Sequence, residues 1–166
     1  GGPIQVYFSE NDVNTQFKFE NVGQHPFWAT SADDESFAIQ MGEDLFDWAE
    51  VATPGFEVHS KADKMQNSIS GWNSAAELAQ ATERYMHNLP HVLAGFKGPG
   101  IDEEPEIHDF AKNNNLTVQT IDIVKHMNAD QATCGYGCSG NPYDAYWSYS
   151  PTGHGDVHEL GHGLEK

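Results

Sequence analysis

The chain has 166 residues, with 8 Lys plus Arg against 25 Asp plus Glu, for a formal charge of −17 at pH 7. Phosphate groups are bound by clustered cations, so this balance argues against nucleic acid and anionic membrane surfaces as partners. The length suffices for one domain with a sizeable core; no apolar run approaches the roughly 18 residues of a membrane span, and no signal peptide is visible. The start at Gly1-Gly2 without Met reads as a boundary within a longer protein.

Residues 1–60 read as β-rich. Residues 3–8 alternate, Ser9 to Asp12 supply turn residues, and Thr15 to Phe19 alternate again, the pattern of a hairpin. Residues 25–28 and 37–41 are further strand candidates, and 42–50 could instead form a short helix. Residues 48–51 and 56–60 flank Thr53-Pro54-Gly55, whose Pro-Gly pair favours a tight turn between strands.

The stretch 61–153 mixes helix and strand. Ser74 with Glu77 forms a capping box opening a helix through Leu78, Ala81, Met86, Leu89 and Val92, which Pro90 should kink or split. Residues 97–100, Lys-Gly-Pro-Gly, close that helix, and 102–106 form an acidic surface loop. Leu116 to Val124 is the clearest strand of the chain, and His126 after it could border a cleft. His25, His59, His87, His91 and His108 carry no functional assignment.

Residues 132–153 are rich in Gly, Tyr and Trp. Cys134 and Cys138 stand in Cys-Gly-Tyr-Gly-Cys, where the glycines let the chain fold back far enough for a disulfide. With the acidity, that pairing points to an oxidising compartment. Zinc thiolates are the rival reading, but no further Cys/His set at finger spacing accompanies the pair. Tyr136 and Trp147 are candidates to contact a substrate; the alternative is that these rings pack under the helix that follows.

That helix is expected over 156–166, with Asp156 as N-cap and Glu159 at its third position. It holds His158-Glu159-Leu160-Gly161-His162. Residues four apart share a helix face, so both imidazoles can reach one Zn2+ at roughly 2.0–2.1 Å. Glu159 lies beside the metal, placed to take a proton from a water. With Asp156 as cap, His154 falls outside the helix as a polar loop residue. Glu165 stands where a metzincin has Gly, which excludes that family. Its Cα is about 10.5 Å along the axis from His158, too far for comfortable shared ligation. The third ligand, a Glu on a following helix, is therefore expected beyond Lys166.

The order of features resembles the enhancin-type gluzincin peptidases. The bacterial immunomodulating-metalloprotease branch, which acts on mucin-type O-glycoproteins, is the nearest in look. The resemblance rests on Trp48-Ala49-Glu50-Val51, on His59-Ser60-Lys61 with Lys64-Met65, on residues 134–143, and on Gly155 to His162. It covers most of the chain, and only the HExxH segment is specific. It implies an α+β, thermolysin-like catalytic domain of which residues 1–166 form the N-terminal part, zinc held by His158, His162 and a downstream Glu, and secretion. It also implies cleavage of peptide bonds near O-glycosylated Ser or Thr, with glycoprotein or peptide as the substrate partner. The competing expectation is a glycan- or protein-binding module with a non-catalytic HExxH helix.

Overall fold

The computed structural model describes Ile4, Val6 and residues 14–121, 125–128, 133–134 and 148–164, the last two strands as backbone. The fold is α+β. Strands β1 (Phe27–Trp28), β2 (Trp48–Ala52), β3 (Phe56–Lys61), β4 (Lys125–Asn128) and β5 (Thr133–Cys134) form one sheet in that order. β1 and β2 are parallel, as are β3 and β4; β2 with β3 and β4 with β5 are antiparallel.

The β2–β3 hairpin forms around Thr53-Pro54-Gly55 as the sequence predicts. The Thr53 backbone N–H donates to the Phe56 carbonyl at 2.7 Å, and the Phe56 N–H donates back to Thr53 Oγ1 at 2.9 Å. Glu83 clamps the turn from outside, accepting from the Thr53 hydroxyl and from the Gly55 N–H. Gly55 is required there, because a Cβ would sit 2.3 Å from the His87 ring.

Strand alternation sends Ala49, Val51, Phe56 and Val58 to one face of the sheet. They join a buried core with Trp28, Phe37, Met65, Leu78, Met86, Tyr149 and Leu160. Three helices bring much of the covering: α1 (Asp34–Glu43), α2 (Ala62–Gly71) and α3 (Ala75–Thr82). α3 starts where its capping box predicts, with the Glu77 N–H donating to Ser74 Oγ at 3.1 Å.

Several expectations are corrected. The strand expected over 37–41 lies within α1. Thr30 and Asp33 form a capping box around a short 3-10 turn, Ser31–Asp33, that leads into that helix. Phe37 and Met41, four apart, then turn toward the core together. The Thr15–Phe19 half of the expected hairpin makes no ladder, and most of its other half lies outside the described residues. Pro90 does split the helix it interrupts. The break begins earlier, as a π-helical turn over Glu83–Asn88, and α4 (Leu89–Leu93) resumes with Pro90 in its first turn, where a missing N–H costs nothing. The acidic loop at 102–106 ends sooner than expected, because α5 (Pro105–Asn113) starts inside it with Glu104 as N-cap.

The strand expected over 116–124 is displaced. Among the described residues of that run only Thr120 bridges, to Lys97, and the described ladder with β3 spans Lys125–Asn128. Residues 122–124 lie outside the described residues. His126 lies within β4, in register with Glu57.

Candidate metal centre

The last described element, α6 (His154–Leu164), begins two residues before the expected start. Asp156 is therefore in its first turn instead of at its N-cap. There its carboxylate sits near the positive end of the helix and reaches back to accept the Ser150 N–H at 3.0 Å. Burial pushes the Asp156 carboxyl up to about 6; the Ser150 bond works against this, and the nearby Glu159 adds to it. A turn closed by the Gly153 N–H on the Ser150 carbonyl, at 2.8 Å, delivers the chain into the helix.

One face of α6 is anchored. Leu160 is 1% exposed and belongs to the core. At 100° per residue the imidazoles of His158 and His162 straddle the opposite face, pointing away from that anchor. Tyr149, buried just before the turn, shares a hydrogen bond of 2.9 Å with the Thr82 hydroxyl and ties the approach to α3. Burial holds the Tyr149 phenol well above its ordinary range.

His158 Nε2 and His162 Nε2 stand 3.1 Å apart with rings at 89°. Two nitrogens on a tetrahedral ion at Zn–N distances would lie about 3.3 Å apart, so the pair is set almost at shared-ligand spacing. Glu159 offers a carboxylate oxygen such that it and a nitrogen of each imidazole all fall within 4.8 Å of one another. Glu159 is 5% exposed, and its Oε2 is buried without a hydrogen-bond partner among the described residues. A buried carboxylate oxygen costs free energy unless something polar meets it. A water or substrate group beside a cation held by the two imidazoles would do so, and the donor set of two imidazoles suits Zn2+.

His154 lies on the helix, not in a preceding loop, and its ring stacks on that of His158 at 6.2 Å. Glu165, Cys138, Tyr136 and Trp147 lie outside the described residues, and Cys134 is seen only as backbone in β5. The structure thus brings together His158, Glu159 and His162. What the sequence reading missed is a second polar cluster: Glu50 accepts from His25 at 2.9 Å and lies 3.4 Å from His59. Its signal was a polar residue at every second position of otherwise apolar strands, Glu50 in β2 and Glu57 and His59 in β3.

An α+β unit with converging imidazoles and a buried glutamate on one helix falls in the HExxH metalloprotein class. No protein-family model matches the chain. It is 31% identical to the immunomodulating metalloprotease of Pseudomonas aeruginosa, across 99% of this chain and 20% of that protein. It also resembles three solved structures: IMPa metallopeptidase in complex with T-antigen (29% identity, TM-score 0.59), IMPa from Pseudomonas aeruginosa (31%, 0.53), and IMPa in complex with an O-glycopeptide (30%, 0.55). Each match covers 84% of this chain and 17% of the other. The chain is related to the immunomodulating metalloproteases, and it spans about a fifth of the length of the curated relative it matches.

Proposed function

We propose that this chain is the part of a secreted zinc endopeptidase that supplies the first two zinc ligands and the general base, and that its substrates are O-glycosylated proteins. The observation that carries this reading is the pairing of His158 and His162 Nε2 atoms at 3.1 Å beside the Glu159 Oε2, which has no hydrogen-bond partner among the described residues. His158 and His162 would hold the ion, which when bound supplies a Lewis acid for the scissile carbonyl. Glu159 accepts a proton from the attacking water and returns it to the leaving amine. Its burial keeps that carboxylate out of bulk solvent.

The third ligand is a Glu beyond Lys166, completing a thermolysin-like set. Two imidazoles alone hold zinc weakly, so hydrolysis belongs to the full-length protein. Among the described residues β5 ends the order of the sheet, and α6 lies against it. An extended substrate would add there as a further strand. Relatives solved with T-antigen and with an O-glycopeptide support the glycoprotein preference. The acidity of the chain and its Cys134/Cys138 pair support an extracellular setting. A binding module with a relic helix gives no reason to bury Glu159 with its Oε2 unpaired among the described residues.

The test compares matched peptides with and without an O-linked sugar, incubated with the full-length protein. Zinc-dependent cleavage favouring the glycosylated peptide is expected. Binding of both peptides with no new termini, in zinc-loaded protein, would replace the peptidase reading with the binding module.

A further inference from the structure

We propose a second divalent-metal site, on the face of the β2–β3 hairpin away from the core, built from Glu50, Glu57 and His59. Strand alternation places all three there. Glu50 and His59 are direct cross-strand partners, and Glu57 is two residues from His59 on the same face. The neighbours that alternate with them, Ala49, Val51, Phe56 and Val58, are core residues on the opposite face.

The geometry suits a shared ion. His59 Nδ1 lies 3.4 Å from Glu50 Oε2, and His59 Nε2 lies 3.7 Å from Glu57 Oε2. One donor atom from each of the three residues falls within 4.8 Å of the others. Donors on one tetrahedral ion at zinc distances lie about 3.3–3.6 Å apart, so one nitrogen of His59 and the two carboxylates, within 4.8 Å of one another, would move in by up to about 1 Å to close the set. His25 Nε2, 2.9 Å from Glu50 Oε2, gives that carboxylate a further orienting partner.

Charge and burial point the same way. Glu50 is 8% and His59 5% exposed. Burial alone would raise the Glu50 carboxyl, but its His25 and His59 neighbours hold it down at about 2, so it is a ready anionic ligand. A divalent cation would offset the charge of both carboxylates. One nitrogen and two oxygens match Zn2+ and the neighbouring transition ions, whereas Ca2+ takes six to eight oxygens. None of these residues belongs to α6, so the site does not depend on the peptidase reading.

Metal content decides it. In the full-length protein, a double variant His158→Ala/His162→Ala removes the α6 site. After equilibration with Zn2+ and desalting, that background is expected to retain a zinc equivalent that adding Glu57→Gln removes. Glu57 is half-buried and outside the core, so this variant should keep the fold; circular dichroism checks it. Cobalt in the same background should give a visible spectrum that disappears with Glu57→Gln. A background that binds no metal, or metal content and spectrum unchanged by Glu57→Gln, would overturn the site.

Discussion

His158 and His162 hold their Nε2 atoms 3.1 Å apart across one turn of α6, rings nearly perpendicular. The helix sets this spacing, so no loop must close to bring the donors together. Removing an outer partner of a zinc ligand typically weakens metal binding 10–100-fold, so His162→Ala in the full-length protein should weaken it by more than about 100-fold. Competition with a chromogenic chelator measures this. An unchanged affinity would remove His162 from the site.

Leu160 opposes those rings on the helix and sits at 1% exposure in the core. Leu160→Ala should cost about 2–5 kcal/mol through lost burial and the cavity left behind. Because the same helix carries the ligands, zinc affinity should fall with stability although no ligand has changed. Denaturant titration with and without zinc reads both effects. A stability loss with affinity intact would show that the ligands hold their places without the anchor.

Thr82 and Tyr149 share a buried hydrogen bond at 2.9 Å. Thr82→Val leaves the phenol without that partner and should destabilise by about 1–3 kcal/mol. Adding Tyr149→Phe should recover much of the loss, since both polar groups are then gone. The double-mutant cycle measures the coupling, and simple additivity of the two losses would contradict it.

Asp33 gathers the N–H groups of Ala29 at 3.0 Å and Thr30 at 2.9 Å on one carboxylate oxygen. These bonds, with a lesser share from the Thr30 hydroxyl, hold its carboxyl below the ordinary 3.8 against the opposing effect of desolvation. A carboxylate whose folded pKa is depressed stabilises fully above its unfolded value and loses that contribution as pH falls through the folded one. Asp33→Asn should therefore lower the melting temperature at neutral pH. The gap to the parent should narrow below about pH 4, where the parent carboxyl also protonates. A gap independent of pH would mean that the carboxylate charge is not what holds this turn.

The metal helix was legible because its chemistry is local. His158, Glu159 and His162 lie within one stretch, and helical spacing alone brings them together. The β2–β3 turn and the Ser74 cap were legible for the same reason. Phe37 to Met41 misled because a short apolar run fits either period; the decisive Thr30–Asp33 capping box lay seven residues upstream. Leu116 to Ile121 has strand-like residues, yet the described ladder lies at Lys125–Asn128, since pairing with β3 decides where a strand lies. The Glu50, Glu57 and His59 cluster depended on register between two strands, which no single stretch displays.

The central claim is that Glu159 acts as a base beside a metal held by its helical neighbours. It is tested most directly by measuring zinc content and turnover together in full-length Glu159→Gln. Zinc is expected to stay near the parent level while turnover falls by about 100-fold to 10,000-fold. Unchanged turnover at unchanged zinc content would contradict the account.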